Sequence, residues 1–207
     1  RMTDYKSMPL PGGTTTLIYD MKTGQRESEF LSLSGTIRNC SGGITPWGSW
    51  LSCEENVTRA GENVGKDHGY VFEVPATQTG LVTPVPLKDM GRFNHEAACV
   101  DPRSGIVYMT EDRGDSLLYR FIPNEKGQLA KGGRLEALAF VQAEISDTRN
   151  WNEVQVSKGR QYQVKWIPLS DPESPQDDLR RQGAAKGAAL FARGEGIFWG
   201  NGELFFA

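Results

Sequence analysis

Carboxylates gather at the ends of strand-like segments in this chain. Glu54 and Glu55 follow "WLSC", Glu96 lies in "FNHEAA", Glu111 and Asp112 close "YMTED", and Glu195 sits in "ARGEG". Each lies beside an apolar or glycine-rich stretch, whereas an isolated acidic residue after a strand is most often a solvated turn residue. If these groups converged, two like charges about 4 Å apart would cost about 4 kcal/mol at an effective dielectric near 20. Such a group must take up protons or surround hard cations such as Ca2+. Cys40, in "NCSGG", would add a soft thiolate that calcium does not favour and a transition metal such as iron does. The chemistry expected is that of a mixed metal cluster.

Other constellations are weaker. "CEENVTR" fits a C-x5-R spacing from Cys53 to Arg59, but Glu54 and Glu55 would repel both thiolate and phosphate, and a reactive thiol needs positive surroundings. His68 and His95 are the only histidines, too few for a histidine-rich zinc site, although His95 could orient its neighbour Glu96. Cys99 in "EAACVD" reads as a buried thiol. The tryptophans Trp47, Trp50, Trp151, Trp166 and Trp199 are spread along the chain and read as core packing. Asn39 and Asn56 match the N-glycosylation pattern, which matches often by chance.

The elements that must carry these residues read as strands: "TTTLIYD", "EFLSLSG", "GYVFEVP", "AACVD", "IVYMTED", "LLYRFIP", "QYQVKWIP" and "ELFFA". Turn phrases ending near Gly24, Gly80, Gly105 and Gly127 separate them and predict hairpins. One segment, 174–192, has a helical pattern, and "ISDTRNWNEVQVSKGRQ" reads as an exposed loop. The fold class expected is all-β, a β-propeller spanning residues 1–207 as one domain with a short helical insertion. At about 40 to 50 residues per blade the chain makes about four blades, an incomplete ring whose last strand has no partner in view.

The net charge of -3 with both signs scattered argues against a nucleic-acid partner, and no apolar run approaches membrane-spanning length. Three cysteines without C-x-x-C make neither a disulfide framework nor a zinc knuckle. A chain opening on Arg1 is read as a piece of a longer protein whose targeting segment lies outside it.

In the same order along the chain, "NCSGGITPWGSWLSCEE", "HGYVFEVP", "MGRFNHEAACVDPRSGIVYMTEDR", "LYRFIP" and "ARGEG" resemble the PhoX family of bacterial alkaline phosphatases. The likeness is dense from Asn39 to Pro123 and returns at Arg193. It implies a six-bladed propeller, periplasmic or secreted, hydrolysing small phosphate monoesters at a centre of ferric iron and calcium bridged by an oxo group. By that likeness Cys40 matches an iron-binding cysteine. Glu54, Glu55, Glu96, Glu111, Asp112 and Glu195 match the acidic groups of the metal centre, and Arg193 matches an arginine facing the phosphate. Complete members are much longer, so a fragment alone is expected to bind metal poorly and need not be active.

Cations can neutralise a phosphoryl group and activate an oxygen nucleophile, with Arg193 stabilising the developing charge. The alternatives are a non-catalytic propeller that binds a partner, and a phosphodiesterase or phytase-like hydrolase. Open edge strands would also invite self-association.

Overall fold

The apolar runs form strands because alternate residues find a core on at least one face. In the computed structural model, which describes residues 10–61 and 63–207 and so not Arg1, β1 (Gly12–Asp20) and β2 (Gln25–Thr36) pair as an antiparallel hairpin. A three-stranded antiparallel unit follows, of β3 (Asn39–Ile44), β4 (Ser49–Glu54) and β5 (Val71–Pro75). Next comes a five-stranded meander of β6 (His95–Val100), β7 (Val107–Glu111), β8 (Leu118–Pro123), β9 (Gly133–Phe140) and β10 (Val164–Pro168). One parallel pair, Gly42 with Ala97, joins β3 to β6 and merges both units into a mixed eight-stranded sheet.

The protein is therefore mostly β, and among the described residues the strands close no ring. Gly24, Gly105 and Gly127 turn hairpins as expected, whereas Gly80 lies in the link from β5 to β6, where none forms. The final run "ELFFA" does have a partner: β12 (Glu203–Phe206) pairs with β11 (Ile197–Gly200). The helical segment is shorter than its sequence pattern, with α1 confined to Leu179–Ala185 and a positive-φ Gly187 just beyond it. The 143–163 region holds no named strand or helix. Among the described residues no helix is long and apolar enough to cross a membrane.

The main core draws on the meander and on β4 and β5. It includes Leu51, Val71, Met90, Phe93, Met109, Tyr119, Phe121, Leu135 and Leu179. A second cluster of Leu33, Tyr70, Phe72 and Val74 seats the first hairpin against β5. Because the main core takes residues from β4 and β5 as well as from the meander, it bridges the seam and holds β3 and β6 along their single parallel rung.

Candidate functional site

Both strands at the seam are bulged where they meet. On β3 the register steps from Cys40–Cys53 to Gly43–Leu51, and on β6 from His95–Glu111 to Ala98–Met109, so each carries one residue more than its partner. A bulge bends its strand and re-aims a side chain. Here the bulged segments contain Gly42 and Ala97, the residues that pair across the seam. A Cβ on Gly42 would overlap the Leu51 carbonyl oxygen, and one on Gly43 would overlap that of Ala98. Glycine alone permits this approach.

The result is a convergence of Cys40, Glu55 and Glu96, whose ligand atoms all lie within 4.8 Å of one another. The half-buried Cys40 thiol donates to Glu96 Oε2 at 2.9 Å. Burial raises the Cys40 pKa to about 11, with the Glu96 contact adding to the effect. Burial also raises that of Glu96, reinforced by Glu195, Glu55 and Asp112 and opposed by the thiol hydrogen bond. These groups resist carrying their charges together, which is the state a cation would relieve. One sulfur and several carboxylate oxygens suit a transition metal at the sulfur and hard cations at the oxygens.

Asp112, just past β7, extends the acidic group. It is paired with the exposed Arg193, whose Nη2 lies 3.0 Å from Asp112 Oδ2 and 3.7 Å from Glu195 Oε1. The segment 193–195 crosses the end of β7 as a strap, with Arg193 N donating to Arg113 O at 2.7 Å and Gly194 N to Glu111 O at 3.1 Å. Arg193 adopts a left-handed φ of 56°, an uncommon conformation for a side-chain-bearing residue.

Glu54 and Glu111 are not part of this convergence. Glu54, fully buried, accepts from His68 Nδ1 at 2.7 Å, Gly69 N at 2.8 Å, Ile37 N at 3.0 Å and Tyr70 N at 3.2 Å. Glu111, also fully buried, accepts from the Tyr119 hydroxyl at 2.8 Å and from Leu117 N at 3.3 Å. Successive strand residues point to opposite faces. In each acidic pair one carboxylate thus anchors the interior while its neighbour reaches the seam.

His95 does not orient Glu96. Its ring stacks on Phe93 at 3.6 Å and its Nε2 lies 2.9 Å from Gly91 O. Burial lowers its pKa to about 3, with the Gly91 bond acting in the other direction. The unfolded chain takes up this proton below about pH 6.5 and the folded chain only near 3, so stability falls as pH drops through that window, by up to roughly 1.4 kcal/mol per unit. Glu111 acts oppositely: burial raises its pKa to about 7 from 4.5, so its contribution is lost as pH rises between those values. With the two groups opposing each other over this range, replacing His95 by Gln is expected to leave the Glu111 effect uncompensated, so that the variant gains melting temperature relative to the native protein as pH falls from about 6.5 to about 4.5. Thermal melts with the same pH dependence in both proteins would exclude this role for His95.

Sequence reasoning missed Arg38, which sits at φ 46° with Nε 3.0 Å from Glu55 Oε2. It also missed Thr110, whose Oγ1 accepts from Ala97 N at 3.2 Å across a bulge that no local pattern announces. Cys53 is fully buried in β4 and burial pushes its thiol well up, so the C-x5-R spacing builds no reactive loop. Cys99 is buried as expected. Trp47 packs on the core and donates to Glu73 at 2.6 Å, whereas Trp50 and Trp151 are exposed.

The family model described as alkaline phosphatase PhoX matches residues 1–207. Among solved structures, the fold is similar to that of Pseudomonas fluorescens PhoX in complex with vanadate, a transition-state analogue, at a TM-score of 0.59 and 20% identity. The match covers 94% of this chain and 44% of the other, so the chain spans under half the length of that relative. No curated protein shows a significant match.

Proposed function

Because the chain belongs to the PhoX family of alkaline phosphatases, we propose that it forms part of a metal-dependent enzyme that hydrolyses small phosphate monoesters. The observation that carries this reading is the meeting of Cys40, Glu55 and Glu96 across the seam, with ligand atoms within 4.8 Å. In this reading Cys40, Glu55 and Glu96 hold iron, while Asp112 and Glu195 supply oxygens for calcium. Glu54 and Glu111 shape the walls through the hydrogen bonds that occupy them. When bound, such ions supply positive charge for the phosphoryl oxygens and lower the pKa of a water nucleophile.

The chain's own part is to bind and orient. Arg193 presents a planar donor fork at the edge of the acidic group, suited to two phosphoryl oxygens. Its pairing with Asp112 and Glu195 holds that fork before substrate arrives. Vanadate in the relative is consistent with phosphoryl transfer at such a site. The two antiparallel units, side by side through parallel β3 and β6, support a reading as neighbouring propeller blades. The remaining blades would come from a longer chain exported from the cytoplasm.

The test is elemental analysis alongside hydrolysis of p-nitrophenyl phosphate on the full chain, before and after calcium is stripped with a chelator. Iron and calcium should both be present, and turnover should be lost on chelation. Arg193→Ala should lower turnover about a hundredfold with metal content unchanged. A protein that holds neither metal and hydrolyses no monoester would overturn the reading. Activity confined to diesters would assign the site to the phosphodiesterase alternative.

A further inference from the structure

The segments carrying Glu96 and Arg193–Glu195 come from distant parts of the chain, yet one buried hydroxyl touches both. Thr110, on β7 and about 1% exposed, lies opposite the bulge of β6, where two residues, Glu96 and Ala97, face one. A bulge leaves a backbone N–H without its ladder partner. Here the Ala97 N–H finds one in Thr110 Oγ1, at 3.2 Å. The same oxygen donates its hydrogen to the Glu195 carbonyl at 2.5 Å. Thus one side chain uses its acceptor on the bulge and its donor on the strap.

We propose that Thr110 is a positioning residue that fixes the bulge at Glu96 and the Arg193–Glu195 strap relative to each other. The proposal rests on the phosphatase reading for its consequence, though its geometry does not. Packing alone would not call for threonine here. Valine has the same shape, is equally at home in a strand, and spares the cost of burying a hydroxyl. The strap is seated closely enough to register a change: a Cβ on Gly194 would lie 3.0 Å from Glu111 O and 3.2 Å from Thr110 Cβ. Thr110 touches neither the carboxylate of Glu96 nor the Arg193 guanidinium in any bond found here. It acts through the backbone of both.

Thr110→Val and Thr110→Ser separate the hydroxyl from the shape. In amide hydrogen exchange on the full chain, Thr110→Val should speed exchange at Ala97 and across 193–195 about tenfold, while Thr110→Ser keeps rates near those of the native protein. With p-nitrophenyl phosphate, Thr110→Val should lower kcat/KM about tenfold at unchanged metal content, and Thr110→Ser should restore it. Thr110→Ala replaces the valine variant if the latter does not fold. Unchanged exchange on loss of the hydroxyl, or equal losses in the valine and serine variants, would overturn the role. Faster exchange in a protein that hydrolyses no monoester would support the positioning role and count against the phosphatase reading alone.

Discussion

Replacing Gly43 by Ala is expected to abolish metal uptake and phosphatase turnover together and to destabilise the fold by about 3 kcal/mol. The added Cβ would overlap the Ala98 carbonyl oxygen, backbone that cannot swing aside as a flexible side chain would. β3 must therefore move away from β6, and the 2.9 Å contact between Cys40 and Glu96 opens with it. For a chain of this size such a loss lowers the melting temperature by roughly 6 to 12 °C. Circular-dichroism melts and iron content measure the two effects. A variant that melts like the native protein and holds its full metal load would show that the close approach is dispensable.

The adjacent glutamates should respond in opposite ways. Glu54→Ala leaves four buried or partly buried donors without their acceptor, among them His68 Nδ1 and the amides of Gly69 and Ile37. Truncating a buried charge inside such a network costs about 3 to 5 kcal/mol, enough to threaten folding outright. Glu55→Gln removes an ion pair with the exposed Arg38 but also relieves the repulsion between Glu55 and Glu96, and as the two effects offset, stability should change by less than about 1 kcal/mol. Its metal affinity, however, should fall at least about tenfold, as expected when a ligand or its close support is lost. Chemical denaturation and iron titration of both variants decide the matter. Equal stability losses would mean that the two residues share one environment.

These contrasts show how far the sequence could be read. Turn glycines and β-branched runs placed most strands, because those signals are local. β9 was missed since "GRLEALAF" is rich in helix formers, and only pairing with β8 and β10 holds it extended. β11 was missed because its four residues find order through β12 and Tyr108, against which Trp199 stacks at 6.5 Å. Two of the acidic motifs supplied Glu55 and Glu96, which the fold brings together with Cys40. Each motif counted as a unit, however, although neighbours at a strand end tend to face opposite ways. Applying that rule to Glu54–Glu55 and Glu111–Asp112 would have divided the pairs, though not told which member faced the seam. That choice depends on His68 and Tyr119, brought in from 14 and 8 residues away by tertiary packing.

The lone rung between Gly42 and Ala97 has a bearing on assembly. Contacts within each antiparallel unit are short in sequence and can form early, while docking the two units demands the closure of a longer loop and comes later. Cys40 and Glu55 belong to the first unit, and Glu96 and Asp112 to the second. On the metal-centre proposal neither half would hold the full ligand set by itself, so capture of an ion would report that docking has occurred in the right register. Cation loading would then serve as a latch on the finished molecule, adding its binding free energy only to chains assembled correctly.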